Sequence, residues 1–320
     1  MSQDITIKFV DFWSAFDIYD NKFVKALSAK HNVTVLPKES RENPDLLFFS
    51  RSGNAEHLKY GNCIKIYFTG ENNVPDFNEC DYALSFHHIN FGARHLRYPL
   101  YMLYEYDMAQ SPCIPADHDA TERPFCTLLM RNYSNCDPRR LEIIDAVDSY
   151  RKLTYGGPFR NNTGGCVAEK IPFIKNFKFN LALENSCVEG YITEKLLEPL
   201  AAATIPIYWG APDVSADFNP EAFININDYN NLGNFISDLQ RIDNDNTAYL
   251  RLLHAPNFRK DCQIDFDARL ENFLDTIVTT RRTYRCPYGE SGDYHQKELL
   301  MHPFTTNRYF MKLAKAIQKI

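Results

Sequence analysis

Short runs of β-branched and aromatic residues alternate with helix-patterned segments along the chain, and this alternation constrains the fold more than any other feature. Between these runs, Tyr19–Lys30 places apolar residues on one face of a helix. Strands that alternate with helices form βαβ units and a largely parallel sheet, so the N-terminal third is predicted to be an open α/β domain. Its predicted strands are Ile5–Phe12, Asn32–Leu36, Asp45–Phe49, Cys63–Phe68 and Tyr82–Phe86.

A second α/β series follows a segment rich in proline and aspartate at residues 109–124. Pro138–Arg151 has a helical pattern with a proline near its first turn, and further helices are predicted from about Asn231 onward. Two consecutive series predict an α/β enzyme with two Rossmann-like domains, whose ligands bind outside the carboxyl ends of the strands. The predicted strands of the second series are Phe125–Met130, Phe177–Leu183, Ile205–Trp209 and Phe223–Ile226.

Charge, cysteine spacing and apolar runs exclude several classes of protein. The formal net charge of −6 argues against nucleic-acid binding, which requires a basic surface. The nine cysteines include no Cys-x-x-Cys pair, which argues against a zinc site and favours reduced thiols in a cytosol. The start MSQDITIKFV lacks the features of a signal peptide, and no apolar run approaches ~20 residues. We therefore expect a cytoplasmic protein without a membrane-spanning helix.

A polar cassette, ENSCVEGYITEK at residues 184–195, lies between two apolar runs. Glu184 and Asn185 directly follow a predicted strand, at the edge where a ligand crevice belongs. Thr193 has the chemistry of an N-cap, and the start of the helix that it would cap favours phosphate. Lys195 adds a full positive charge, and the glutamates of the cassette suit ribose or sugar hydroxyls.

Residue chemistry alone favours a second interpretation of the cassette. Glu194, Lys195 and Glu198 are readily explained as a solvated helix face, with Asn185 in a turn. Neither of the common glycine-rich phosphate loops is present in the sequence. Pro199 cannot donate a hydrogen bond to the carbonyl of Lys195, so we expect a kinked or tight helix there.

A resemblance to a known family favours a binding site over a solvated helix face for the cassette. Residues 177–229, which include FKFNLALENS, YITEKLLEPLAAATIPIYWGAP and FNPEAFININDY, closely resemble the signature of the α-1,3-fucosyltransferases, glycosyltransferase family ten. The segments YFTGEN (67–72), HLRYPLY (95–101) and YGGPFRNN (155–162) occur in the order and spacing of that family. The chain is most similar to the bacterial members that make Lewis-type glycans.

The resemblance implies a GT-B fold, in which two Rossmann-like domains face each other across a cleft. We predict an acceptor-binding domain at residues 1–120 and a GDP-fucose-binding domain at 121–304. Residues 305–320 are predicted to form a basic amphipathic helix, which either rests on an anionic membrane or packs on the protein.

Donor-binding residues carry over from the family's motifs. Asn185, Tyr191, Glu194 and Lys195 match the family's donor-binding positions. Arg140 matches its phosphate-contacting arginine. The resemblance also implies that Val167–Lys170 lies near the nucleotide, and Arg160 is a further cationic candidate.

The resemblance also implies the chemistry. Glu71 corresponds to the carboxylate that the family is thought to use as a general base, although by its residues alone it is an ordinary turn residue. GDP-fucose carries its nucleotide in the β configuration and the product is an α-fucoside, so one inverting displacement is expected. Arg140, Lys195 and the helix start would stabilise charge on the leaving diphosphate. We therefore expect neither a metal nor a cofactor beyond the donor substrate.

The acceptor is the least constrained part of the prediction. The family suggests the GlcNAc of a Galβ1-4GlcNAc-type oligosaccharide or lipopolysaccharide glycan, and a Lewis x-type product. Trp13, His88 and Tyr101 are candidate acceptor residues, although their residue types favour a structural role for each. An α-1,4 or dual linkage, a transferase for another sugar, and a non-catalytic nucleotide-sugar or glycan-binding protein remain open.

Overall fold

The chain is described from a computed structural model, which covers residues 2–103, 106–131, 137–259, 265–285 and seven single positions between 300 and 316. The strands are β1 (Asp4–Val10), β2 (Asn32–Val35), β3 (Leu46–Phe49), β4 (Ile64–Phe68), β5 (Tyr82–Ser85), β6 (His95–Arg97), β7 (Cys126–Leu128), β8 (Thr154–Tyr155), β9 (Phe179–Leu183), β10 (Ile205–Trp209) and β11 (Ile224–Asn225). The α-helices are α1 (Lys22–Ser28), α2 (Tyr106–Gln110), α3 (Asp117–Thr121), α4 (Arg139–Tyr150), α5 (Lys170–Ile174), α6 (Glu194–Ala201), α7 (Leu232–Asn244), α8 (Asn246–Leu253) and α9 (Phe266–Thr280).

The chain divides into two compact units. The N-terminal unit consists of Met1–Ser85, Ile89–Tyr98 and Asp265–Ile320, and the second unit consists of Phe86–His88 and Pro99–Ile264. These boundaries differ from the predicted division at residues 120 and 121. The chain passes into the second unit at Pro99, and its C-terminal segment returns to the first.

The N-terminal unit contains a six-stranded sheet in the order β2-β1-β3-β4-β5-β6, in which all the paired strands are parallel. Every residue of β3, β4 and β5 is buried, as expected for a parallel sheet that is covered on both faces. The five strands predicted here are confirmed, and β6 is an additional short strand. Helix α1 begins later than predicted because Asn21 Oδ1 accepts hydrogen bonds from the N–H groups of Phe23 and Val24, which fixes the first turn.

Helix α9 belongs to the N-terminal unit although it follows the whole second unit in sequence. Lys22 of α1 pairs with Asp267 at 2.8 Å, and Asp275 accepts from Lys30 at 3.3 Å. Beyond the helix, the buried carboxylate of Asp81 accepts from Arg285 Nε at 2.9 Å. These contacts attach the C-terminal segment to the first sheet and explain the difference from the predicted boundary.

The second unit contains a five-stranded parallel sheet in the order β11-β10-β9-β7-β8. Its predicted strands are confirmed, and β8 is an addition. The chain runs from β7 outward to β8 and then returns to place β9 on the other side of β7, so the strand order reverses between β7 and β9. In open α/β sheets, ligands bind at the carboxyl edge beside such a switch point.

Within the described residues, no helix combines the length and the apolar composition needed to cross a membrane. Most of the basic helix predicted at residues 305–320 lies outside the described residues. That helix and its membrane contact therefore stay predictions.

Candidate active site in the second unit

The cassette after β9 folds so that a buried acid supports the start of α6. Glu184 is fully buried; its Oε1 accepts from the N–H of Thr193 and its Oε2 from the Thr193 hydroxyl, both at 2.7 Å. The same hydroxyl accepts from the N–H of Lys195 at 3.4 Å, which confirms Thr193 as the N-cap. Glu184 therefore does not reach a sugar, contrary to the expectation for the glutamates of the cassette, because its oxygens already bind the protein.

Thr193→Val should destabilise the protein by ~1–3 kcal/mol, because it removes the cap and the 2.7 Å hydrogen bond from the Thr193 hydroxyl to the buried carboxylate of Glu184. Urea unfolding measures the change. Thr193→Ser keeps the hydroxyl and serves as the control. A valine variant as stable as the wild type would contradict this role for the hydroxyl.

Lys195 lies in the first turn of α6 among acidic and hydroxyl groups. Its Nζ is 3.4 Å from both Glu184 Oε2 and Glu194 Oε1, and 3.1 Å from the Thr193 hydroxyl. Burial alone would lower the pKa of Lys195, but the two carboxylates outweigh it and raise that pKa. Burial would likewise raise the pKa of Glu194, but Lys195 and Lys170 outweigh it and lower that pKa. Lys195 is therefore a cation and Glu194 an anion at neutral pH.

Arg140, in the first turn of α4, is buried without a full set of acceptors. It is 3% exposed, and its Nη1 donates to Asn185 Oδ1 at 3.1 Å while Nη2 lies 3.1 Å from Met130 Sδ. Its Nε has no hydrogen-bond partner within the described part of the chain. A buried guanidinium requires acceptors, and a thioether is a poor one. This arrangement favours an anionic ligand at Arg140.

Arg140 and Lys195 line one pocket at the switch point. The positive charge of Arg140 acts to lower the pKa of Lys195, which is consistent with two cations directed at the same region. The start of α6 adds its own positive dipole end. The described lining is polar at Arg140, Asn180, Lys195 and Glu198, and apolar at Leu128, Leu129, Ile174 and Leu181–Leu183.

The solvated helix face that residue chemistry favoured is wrong. The side chains of Glu194, Lys195 and Glu198 are 26%, 25% and 14% exposed. Helix α6 packs on β9 and on α5, so the charged face points into protein rather than into water. The three charged side chains are half-buried, and Lys195 and Glu198 line the pocket with Arg140, which is typical of a binding site.

The remaining predicted donor residues lie in three different environments. Tyr191 is buried, with its ring 5.0 Å from that of Phe86. Lys170, the first residue of α5, donates to Glu198 Oε1 at 2.7 Å. Arg160 donates to Asp145 of α4 at 2.6 Å and lies over the ring of Phe159. Lys170 thus reaches the pocket lining through Glu198, whereas Arg160 is attached to the surface of α4.

Glu71 and Trp13 follow two strands of the N-terminal sheet, β4 and β1, at its carboxyl edge. Glu71 is exposed in a turn held by Thr69, whose hydroxyl accepts from the Glu71 N–H at 3.1 Å and donates to its carbonyl at 2.9 Å. Trp13 is half-buried and packs against Phe16 and Phe68. An exposed carboxylate at a carboxyl strand edge is accessible to a substrate hydroxyl.

The other two acceptor candidates lie in the second unit. His88 Nε2 is 2.8 Å from Asp213 Oδ2, and Asp213 Oδ1 accepts from the N–H of Gly190 at 2.7 Å. Gly190 has a φ of +75°, which favours glycine. Tyr101 is 1% exposed and packs edge-on against Phe218, so its burial argues against contact with an acceptor.

Sequence reasoning missed two residues of this region. Glu198 lies on the lining of the pocket and follows Lys195 by three residues, a spacing that places the two on neighbouring positions of one helix face. Asp213 carries no local signal, because its partners Gly190 and His88 are 23 and 125 residues away in sequence.

Two parallel-sheet α/β units, one with paired cations at its switch point, define a fold of the GT-B class. Solved structures support this: an α1,3-fucosyltransferase crystallised with GDP-fucose matches with a TM-score of 0.75 and 27% identity, over 89% of this chain and 94% of that one. An α-glucosyltransferase in complex with UDP-glucose and DNA matches at a TM-score of 0.51 and 11% identity, over 85% of this chain and 100% of that one, which shows the fold alone.

Sequence comparisons identify the family. The α-(1,3)-fucosyltransferase FucT N-terminal domain matches residues 7–104, and the C-terminal domain of glycosyltransferase family 10 (fucosyltransferase) matches residues 125–277. The α-(1,3)-fucosyltransferase FucT of Helicobacter pylori is 33% identical over 262 residues, which are 71% of this chain and 54% of that enzyme. The chain belongs to glycosyltransferase family 10, and it spans about half the length of this curated relative.

Proposed function

We propose that the protein is a fucosyltransferase that moves L-fucose from GDP-β-L-fucose to the GlcNAc of a Galβ1-4GlcNAc-type glycan in α-1,3 linkage. The observation that carries the proposal is the buried, incompletely paired guanidinium of Arg140, which shares a pocket with Lys195. Two cations beside a helix start suit the diphosphate of a nucleotide sugar. Family membership and the match to a structure with GDP-fucose support this choice of donor.

Each donor residue has a role in the proposal. Arg140 and Lys195 bind the diphosphate and stabilise its charge as it leaves. Asn185 orients Arg140 through its amide oxygen. Glu194 and Tyr191 orient the ribose and fucose, and Glu194 as an anion accepts hydrogen bonds from hydroxyl groups.

The proposed reaction is a single inverting displacement. The acceptor oxygen forms a bond to the anomeric carbon of fucose while the bond from that carbon to the β-phosphate oxygen breaks. Glu71 accepts the proton of the acceptor hydroxyl, and GDP leaves as the anion held by the two cations. The transition state carries positive charge on the sugar ring, by analogy with inverting glycosidases.

Incubation with labelled GDP-fucose tests the proposal. The acceptors are Galβ1-4GlcNAc and Galβ1-3GlcNAc, each assayed with and without EDTA. We expect α-1,3-fucosylated Galβ1-4GlcNAc in equal yield with and without EDTA. Arg140 and Lys195 stabilise the charge of the leaving diphosphate, which is the role of the metal ion in metal-dependent enzymes. Transfer only to Galβ1-3GlcNAc would indicate α-1,4 linkage, and loss of activity in EDTA would contradict the metal-free mechanism.

Two further arms separate the alternative functions. GDP-mannose as donor distinguishes a transferase for another sugar, which would use it in preference to GDP-fucose. Binding of GDP-fucose without turnover on any acceptor would indicate a non-catalytic nucleotide-sugar-binding protein. A cytoplasmic location remains part of the proposal, with residues 305–320 either packed on the protein or in contact with a membrane.

A further inference from the structure

We infer that His88, oriented by Asp213, binds a sugar hydroxyl of the transfer reaction, from either the fucose of the donor or the acceptor. This inference rests on the proposed function and adds to it a residue that contacts one of the two sugars. The contact that suggests it is the 2.8 Å hydrogen bond between His88 Nε2 and Asp213 Oδ2, which orients an imidazole whose side chain is 48% exposed.

Asp213 lies in the loop that follows β10, next to the cassette that follows β9. Strands β9 and β10 pair as far as Leu183 and Trp209, so both loops leave the sheet at the same edge. The loop after β10 is held by the buried Tyr208, whose hydroxyl accepts from the N–H of Ala211 at 2.9 Å. The carboxylate of Asp213 therefore reaches the cassette from an anchored loop.

The cassette receives Asp213 and His88 at Gly190. Asp213 Oδ1 accepts from the N–H of Gly190 at 2.7 Å, so both oxygens of this carboxylate are engaged. Gly190 has a φ of +75°, and a Cβ there would lie 2.5 Å from the carbonyl oxygen of Phe86 and 3.4 Å from the His88 ring. Glycine thus lets the segment 86–88 pack on the backbone of the cassette, which holds the imidazole in place.

The hydrogen bond to Asp213 decides which nitrogen of His88 faces a ligand. A carboxylate only accepts, so Nε2 carries the hydrogen and Nδ1 is the nitrogen left for a ligand. Within the residues that the structure describes, Nδ1 makes no hydrogen bond. A sugar hydroxyl both donates and accepts, so it can pair with Nδ1 whether the ring is neutral or charged.

The sheet order relates His88 to the cationic pocket. Arg140 follows β7 and meets Asn185 after β9, whereas Asp213 follows β10, on the other side of β9. Adjacent strands lie about 4.8 Å apart, so the ends of β7 and β10 are about 10 Å apart. A hexose linked to a diphosphate at Arg140 and Lys195 covers a distance of this order. A sugar of the reaction can therefore reach His88.

A second histidine–aspartate pair of the same unit provides a comparison. His254 Nε2 is 2.7 Å from Asp117 Oδ1, and the side chain of His254 is 47% exposed. Asp117 is 60% exposed in α3, whereas Asp213 is 27% exposed and also binds the cassette. An exposed pair such as His254–Asp117 contributes little to stability and has no connection to the cassette, so His254 is the matched control.

Glutamine at position 88 separates sugar binding from a structural role. Its amide nitrogen lies near the position of Nε2 and can donate to Asp213, but no polar atom replaces Nδ1. If His88 only supports Asp213 and the cassette, His88→Gln should behave as the wild type. The readouts, on the full chain, are the dissociation constants for GDP and GDP-fucose by calorimetry and the KM for Galβ1-4GlcNAc.

We expect His88→Gln to leave the dissociation constant for GDP unchanged and to raise one sugar-dependent constant roughly 2–10-fold, as for the loss of one hydrogen bond. A raised dissociation constant for GDP-fucose identifies a hydroxyl of fucose. A raised KM for Galβ1-4GlcNAc, with the affinity for GDP-fucose unchanged, identifies a hydroxyl of the acceptor. His254→Gln should leave all three constants as in the wild type.

Asp213→Asn tests the positioning role. The amide keeps an oxygen for the N–H of Gly190 but presents an N–H group to His88 Nε2, so the imidazole loses the acceptor that orients it. This variant should raise the same constant as His88→Gln. The double variant should raise it no further than the larger single effect, because residues that act as one unit are not additive. Fully additive effects would show that Asp213 does not act through His88.

The outcomes separate this inference from the proposed function. If all three constants of His88→Gln equal those of the wild type, or if GDP and GDP-fucose weaken by the same factor, His88 does not bind a sugar and the fucosyltransferase proposal stands. A wild type that binds neither GDP nor GDP-fucose would overturn the proposed function instead. Urea unfolding checks each variant, and if His88→Gln is destabilised, the sugar-dependent constants of Asp213→Asn decide.

Discussion

Glu71→Gln is expected to lower turnover by about 10²–10⁴-fold and to leave the dissociation constant for GDP unchanged. The amide has the size of the carboxylate but cannot accept the proton of the attacking hydroxyl. Its side chain is exposed, and the turn is held by backbone contacts to Thr69 that the substitution keeps. Product formation from GDP-fucose and Galβ1-4GlcNAc gives the rate, and calorimetry gives the GDP affinity.

The matched control is Glu42→Gln, which removes an exposed acid from the same unit. A substitution at such a surface position should change neither turnover nor stability beyond about 0.5 kcal/mol. If Glu71→Gln instead turns over normally and binds GDP weakly, Glu71 would be a binding residue and the general base would have to be assigned elsewhere.

The strands of both sheets are predictable because their signal is local. Every residue of β3, β4, β9 and β10 is buried, and these strands are apolar apart from Lys65 in β4 and Asn180 in β9, so each can be recognised from its own residues. The return of α9 to the first unit is not predictable in this way. Lys22 and Asp267 are 245 residues apart, and no local pattern records that pairing.

The candidate site also contains one contact that is local in sequence and one that is not. Glu184 and Thr193 are nine residues apart in one strand–turn–helix unit, so local chemistry predicts the cap. Arg140 and Asn185 are 45 residues apart and meet only because β7 and β9 are neighbours at the switch point. Residue chemistry therefore favoured a solvated face for α6, and the assignment of Arg140 came from the family resemblance alone.

Lys195→Met is expected to raise the dissociation constant for GDP roughly 10–150-fold. This factor corresponds to the loss of one hydrogen bond between charged groups, which contributes about 1.5–3 kcal/mol to binding. The physical reason is the loss of one of the two cations that line the pocket with Arg140. Calorimetry with GDP measures the change. Lys175→Met, at an exposed position after α5, controls for the loss of a positive charge in the same unit.

A second effect of Lys195 has to be separated from phosphate binding. Its Nζ lies 3.4 Å from the buried carboxylate of Glu184, so the single substitution also removes the cation beside that acid. An uncompensated buried charge is costly and could distort the start of α6. The double variant Lys195→Met with Glu184→Gln removes this unpaired charge and keeps the oxygen that accepts from the N–H of Thr193. If the weakened affinity for GDP persists in the double variant, Lys195 acts on the diphosphate directly. If the double variant binds GDP like the wild type, Lys195 acts only by compensating the negative charge of Glu184.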